Sequence, residues 1–241
     1  MTDQAGVLAQ LARVFARVRG TDSLPMGLCH ACADMLEVRG GAITLAYTTP
    51  ERVTLCATDH TATRLEDLQD VLGQGPGLDA YLTGRPVTAY LGGKTAQRWP
   101  MFSNAALQEV GAVVMYALPI RPHTSVLGVL TLYHLEPAPP PRDLGVAQFL
   151  ADAVGTALLH DPASQIELSE GPWAARMEIH QATGMVIGQL RINAGDALAL
   201  LRAHAFAEGA SLITIARDVL GRRIDFARLV QPAQDDGGGP T

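Results

Sequence analysis

The stretch "RMEIHQATGMVIGQL", residues 176–190, carries Ile179, Ala182, Val186 and Leu190 at three- and four-residue steps, with Ala175 just ahead of it. That period is helical, and it predicts a helix from about Pro172 to Leu190. Two interior positions are nevertheless glycine, Gly184 and Gly188, each costing roughly 1 kcal/mol relative to alanine. At about 100° per residue they fall about 140° and 180° from Ile179, opposite the apolar stripe, with His180, Gln181 and Arg191 beside them. A Gly-x-x-x-Gly pair leaves a flat strip on which another backbone can lie, whether a partner helix or a sugar-phosphate chain.

Two further helices follow. Asn193 is the expected N-cap of the second, with Asp196 three residues on as a capping-box variant, then Ala197, Leu198, Leu201 and Ala205. The third starts at Ser211 and aligns Leu212, Ile215, Ala216, Val219 and Leu220 in one stripe. So small a bundle buries few large side chains, so dimerisation or docking is expected to assist it. Upstream, the polar, turn-rich run over 161–171 reads as a linker. Downstream, "QPAQDDGGGPT" is expected to be a disordered tail over 231–241.

The first 160 residues differ in kind. Two amphipathic helices, over 3–19 and from Ser23, precede the alternating runs "AITLAYT" and "RVTLCAT", which read as a hairpin about Thr49-Pro50. Next come a helical "TRLEDLQDVLG", the loop "GQGPG", a short "LDAYLTG" helix and a strand "PVTAYL". The β-rich "AVVMYALPI" and "SVLGVLTLYHL" flank "RPHT", and a Pro-rich loop leads to a last helix over 143–160. Helices interspersed with adjacent strands describe an antiparallel sheet with helices on its faces, so the fold class is α+β followed by an all-α three-helix bundle.

The chain of 241 residues is 48% hydrophobic, enough to bury a core and too much for a disordered chain. Its net charge of -6 divides as -3 over residues 1–160 and -3 over 161–241, which disfavours binding nucleic acid through bulk charge and requires a local patch. With three cysteines, an amphipathic N-terminus and no apolar run of about 18 residues, a cytoplasmic protein is expected.

Few residues offer reaction chemistry. "CHAC", Cys29 to Cys32, lies in an amphipathic helix with no second pair, and Cys56 alternates within a strand, so packing is the expected role of all three. The histidines lack metal-ligand spacing, with His204 read as a core residue. "GQGPG" lacks the Gly-Lys-Ser/Thr ending of a phosphate loop and reads as the turn that opens a helix. No catalytic residue, metal or cofactor is expected. Every basic residue after Asp161 is arginine, and Arg217, Arg222, Arg223 and Arg228 gather about the end of the third helix. Arginine suits bidentate phosphate contact and stacking; the same cluster also fits a solvated helix end favoured by the dipole.

Taken together, "RMEIHQATGMVIGQL", "ALALLRAHA" and "LITIARDVL" closely resemble the ANTAR domain of bacterial transcription antiterminators, through Arg176, Ile179, Ala182, Gly184, Ala197, Leu201, Arg202, Ala205, Leu212 and Ala216. The resemblance covers about 172–227 and implies an RNA-binding three-helix module that, as a dimer, recognises stem-loops in nascent mRNA. Thr183 stands where many relatives carry lysine. The RNA-binding residues it implies are Arg176, His180, Gln181, Thr183, Gly184, Gly188, Arg191, Arg202, Arg217, Arg222 and Arg223. Residues 20–160, through "GQGPGLDAYLTGRPV", "RWPMF", "ALPIR" and "LGVLTLYH", resemble a GAF domain of the kind that precedes ANTAR modules in actinobacterial regulators. This implies a pocket for a small-molecule or protein signal at Gly75, Leu78, Tyr81, Trp99 and Phe102. The expected protein is a homodimeric antitermination regulator whose RNA binding is controlled by its sensor domain. The alternatives are a GAF-type thiol enzyme, such as a methionine sulfoxide reductase using Cys29, Cys32 or Cys56, and a helix-docking module in which RNA plays no part.

Overall fold

The computed structural model describes residues 3–18, 23–48, 51–92, 97–122, 125–135, 143–160 and 172–230, with backbone alone at 18, 46–48, 51, 172–176 and 230. The hairpin tip at Thr49-Pro50, most of the Pro-rich loop, the expected linker 161–171 and the tail 231–241 lie outside these residues. The chain forms two compact units, Met1–Ala174 and Ala175–Thr241.

The first unit runs α1 (Gln4–Val18), α2 (Leu24–Met35), β1 (Gly40–Thr48), β2 (Glu51–Ala57), α3 (His60–Leu72), α4 (Pro76–Thr83), β3 (Val87–Tyr90), α5 (Pro100–Val110), β4 (Val113–Ile120), β5 (Gly128–Leu135) and α6 (Leu144–His160). Its five strands lie in the order β2-β1-β5-β4-β3, all antiparallel. Every residue of β4 is buried, which explains why "AVVMYALPI" reads as an unbroken apolar run: the strand is covered on both faces. Val114, Tyr116, Leu118 and Ile120 join Leu28, Leu150 and Val154 under α2 and α6. On the opposite face, Val113 and Met115 pack with Leu65, Leu68, Trp99 and Phe102 of the α3 and α5 side, and Ala117 with Ala80 of α4. The α+β assignment with helices on the faces of the sheet is therefore correct.

Helix α5 departs from the sequence reading, which assigned no element between "PVTAYL" and "AVVMYALPI". Its marks are present: Pro100 occupies the first turn, Phe102, Ala105 and Ala106 form the buried face, and Gly111 ends it. Its short apolar side chains gave a weak period. Helix α4 also begins two residues before "LDAYLTG", because Pro76 sets its first turn behind Gly75.

The second unit comprises α7 (Pro172–Leu190), α8 (Ala194–Ala207), α9 (Leu212–Leu220) and a short α10 (Phe226–Val230). The expected cap forms, Asn193 Oδ1 accepting the N–H of Asp196 at 2.9 Å, and Ser211 caps the next helix, its Oγ accepting the N–H of Thr214 at 3.3 Å. The core is made of small pieces, Ala182 and Val186 from α7, Ala197, Leu201 and Ala205 from α8, and Leu212, Ile215, Ala216 and Val219 from α9. Phe226 of α10 closes it and meets the His204 ring edge-to-face at 5.5 Å. A short helix, α10, is added beyond the three expected ones: Asp225 Oδ1 caps it through the N–H of Ala227 at 3.0 Å.

Candidate nucleic-acid interface

Helix α7 buries Ala182 and Val186 and exposes the opposite side. His180, Gln181, Gly184, Gly188 and Arg191 are all solvent-facing, as is Met177 at the start of the same strip. Beyond the helix's own adjacent backbone, no described atom lies within 4 Å of where a Cβ on Gly184 or Gly188 would sit. The glycines therefore do not serve packing within the bundle. They leave an open strip on the helix surface.

The other sequence-expected residues are distributed around that strip. Thr183 is turned about 100° away from Gly184 and is half-buried, its hydroxyl donating to the Ile179 carbonyl at 2.8 Å. Arg217 reaches α7 from α9, its Nε donating to Glu178 Oε2 at 2.6 Å while the side chain stays largely exposed. Arg223 donates to Asp218 Oδ1 at 2.6 Å. Arg202 is half-buried on α8, outside the strip. The side chain of Arg176 lies outside the described residues.

Arg191 and Arg222 stand apart from the rest. Each is exposed, and neither makes an ion pair among the described residues. Each also follows a helix with φ of 56°, the left-handed position normally given to glycine or asparagine. An L-residue there costs roughly 1–2 kcal/mol. Local conformation alone favours glycine at both sites, and Glu37 after α2 has the same conformation at φ of 55°.

In the first unit the expected pocket residues separate. Trp99 and Phe102 are buried in the core beneath α3 and α5, whereas Tyr81 packs at Ala80, Ala117 and Val129. Trp99 Nε1 donates to Asp79 Oδ2 at 3.0 Å, and Arg98 pairs with the same carboxylate at 2.7 Å while lying 5.0 Å over the Trp99 ring. Leu78 is half-buried and Gly75 buried. Gly75 has φ of 149° and lies so close to Gln69 that a Cβ would sit 2.5 Å from its Cγ. Gln69 Oε1 in turn accepts the N–H of Gly77 at 2.7 Å. The glycine-rich loop thus spends a donor on its own neighbour, as befits a helix-opening turn.

Sequence reasoning missed the buried polar knot beside that loop. Glu66 Oε2 accepts from Arg52 Nη2 at 2.5 Å and from Thr44 Oγ1 at 2.9 Å, while Oε1 accepts from Gln69 at 3.0 Å. Glu66 was legible only as a polar residue on an amphipathic helix.

The three cysteines also meet. Cys29 and Cys32 on α2 and Cys56 on β2 are buried in one core cluster. Hydrogen bonding to Cys56 and burial raise the Cys29 thiol well above the usual range, and burial, then Cys56, pushes Cys32 up to about 12. A nucleophilic thiol needs the opposite shift, so this cluster favours packing over a thiol reaction.

A helix-covered antiparallel sheet joined to a separate small bundle with an open, arginine-flanked rod is the architecture of a two-domain regulator. The GAF-domain family model matches residues 27–158 and the ANTAR-domain model residues 173–220. The chain belongs to the GAF-domain family and carries a C-terminal ANTAR domain; both are regulatory domains. No curated protein matches the chain. Among the described residues no single helix is long and apolar enough to cross a membrane.

Proposed function

We propose that the protein is a cytoplasmic, homodimeric transcription antitermination regulator. Its ANTAR domain, residues 172–230, binds stem-loops in nascent mRNA under control of a GAF sensor over residues 1–160, joined through 161–171. The observation that carries this reading is the unobstructed glycine strip of α7 within an ANTAR match, with two exposed left-handed arginines, Arg191 and Arg222, that make no ion pair among the described residues. A sugar-phosphate chain needs close approach to a helix, and guanidinium groups hold its phosphates bidentately. Arg176, His180, Gln181, Thr183, Gly184, Gly188, Arg191, Arg202, Arg217, Arg222 and Arg223 form the proposed RNA-facing set. Gly75, Leu78, Tyr81, Trp99 and Phe102 mark the proposed signal-responsive region, where a signal acts by binding two states of the domain unequally.

The test is gel retardation of a two-hairpin leader RNA by the full chain at moderate salt, beside a scrambled RNA of equal length. The hairpin RNA is expected to be retarded at lower protein concentration. Equal retardation of both defeats the reading. The open strip also admits a partner helix: if Gly184→Leu abolishes dimerisation and leaves RNA binding intact, the strip belongs to a protein contact instead.

A further inference from the structure

A cleft of about 380 Å³ is lined by Met185 and Gln189 of α7, by Arg222, Ile224 and Asp225 between α9 and α10, and by Arg228 of α10. A second hollow of about 290 Å³ shares the last four of these residues and adds His204 and Arg223 from its surroundings. The larger volume falls within the range of roughly 300–1,000 Å³ typical of small-molecule sites.

The polar groups of the cleft are held in place by the fold. Gln189 Oε1 accepts the N–H of Phe226 at 3.1 Å, which fixes the amide and leaves its nitrogen as a donor. Asp225 Oδ1 accepts from Ala227 at 3.0 Å, and its Oδ2 stands 3.6 Å from Arg228 Nε. Arg222 is held at the rim by its left-handed backbone, closed by its N–H donating to the Val219 carbonyl at 3.0 Å. Met185 and Ile224 supply half-buried apolar walls.

Each of these features answers one part of a nucleotide. Flat apolar walls and guanidinium planes accept a base face, an amide nitrogen and a carboxylate read a base edge, and exposed arginines hold a phosphate. A merely acidic peptide would use the arginines and leave the amide, the carboxylate and the apolar walls without a role.

We propose that this cleft is a subsite for a single unstacked nucleotide. Its base lodges between Met185 and Ile224 with an edge on Gln189 and Asp225, and its phosphate lies on Arg222 and Arg228. The nucleotide is either an extruded base of the bound RNA, in which case the proposal rests on the RNA reading above, or a free nucleotide of the same chemistry.

The test is methyl NMR of the full chain labelled at its seven methionines, with the Met185 methyl assigned by Met185→Leu. The two-hairpin RNA is added in one arm, and adenosine and guanosine monophosphates in the other. The Met185 methyl is expected to shift in at least one arm. In that arm Arg222→Gly, which relieves the backbone and keeps the fold, is expected to weaken binding about tenfold. A shift on RNA alone identifies the RNA as source. A shift on free nucleotide without retardation of the hairpin RNA keeps the cleft and defeats the RNA reading. Retardation of the hairpin RNA with the Met185 methyl unmoved in both arms overturns the cleft and leaves the RNA reading standing. No retardation and no shift removes both.

Discussion

Gln189, one residue before the end of α7, accepts the backbone N–H of Phe226 at 3.1 Å, so the first rod of the helical unit caps its last. That bond seats Phe226, which is only 4% exposed, against the core. Gln189→Leu is expected to leave the donor unsatisfied and to lower stability by about 1 kcal/mol. Thermal unfolding of the two proteins measures it, and an unchanged midpoint shows that water replaces the bond.

Two kinds of helical glycine are distinguished by what surrounds them. Gly184 has open space where a Cβ would go, so Gly184→Ala is expected to stabilise the protein by up to about 1 kcal/mol through helix propensity alone. Gly155 in α6 is buried, and its Cβ would press on Ile120 and Pro122, so Gly155→Ala is expected to destabilise. Denaturant midpoints of opposite sign are the expected result, and RNA retardation by the stabilised Gly184→Ala protein should weaken.

The left-handed arginines give a test that separates stability from function. Arg191→Gly and Arg222→Gly both remove a positive φ from an L-residue. Each variant is expected to be as stable as the parent or more so, by up to about 1 kcal/mol. Each should also bind the hairpin RNA less tightly, with the slope of log affinity against log salt shallower by about 0.7 per lost phosphate contact. Unaltered affinity and slope would show that these guanidinium groups do not touch RNA.

In the sensor unit, Arg52 and Glu66 are 5% and 2% exposed at the side chain and pair at 2.5 Å. Glu66→Ala leaves the buried Arg52 guanidinium only its longer contact, Nη1 to Asp70 Oδ1 at 3.7 Å, and is expected to cost about 3 kcal/mol in urea unfolding. Replacing both by apolar residues, Arg52→Met with Glu66→Leu, should restore most of that loss, because no uncompensated charge remains. A double variant as unstable as the single one would show that Thr44 and Gln69, rather than the charge pair, hold the site together.

The buried acids make the protein sensitive to alkali. Burial holds Cys32 at about 12 against an ordinary value of 9.0, and burial followed by donation to Asp59 holds Tyr133 at about 12 against 10.0. Both groups stay neutral in the folded chain at pH values where the unfolded chain ionises them. Their contribution is therefore complete below pH 9.0 and is lost as pH rises towards about 12. Unfolding midpoints are expected to fall steeply between pH 9 and pH 11, and Cys32→Ala with Tyr133→Phe to flatten the fall. At pH 8 a disulfide reagent should leave all three thiols untouched until the chain unfolds.

Much of this architecture could be read along the chain because the signals are local. The period of 3.6 in α7 and α9, the caps at Asn193 and Ser211, and the covered strand β4 each depend on side chains within a few residues of one another. Helix α5 was missed because its buried face is made of alanine, serine and one phenylalanine, too slight a contrast to register. Helix α10 was missed because five residues are too few to show a period.

Residue order alone sets which side chains are apolar on which face, and so the α+β order, the all-α C-terminal unit and the solvent-facing place of Gly184 and Gly188. Which charges are left over is settled when the segments pack together. Arg217, Arg223 and Arg228 pair with Glu178, Asp218 and Asp225, while Arg191 and Arg222 make no ion pair among the described residues. It also gathered Gln189, Met185, Asp225 and Arg222 into one cleft and Glu66 with Arg52 into one buried knot. The reason is physical: a helix face follows from a repeat of about 3.6 residues along one segment, whereas an ion pair or a cleft depends on distances between segments that no local period encodes.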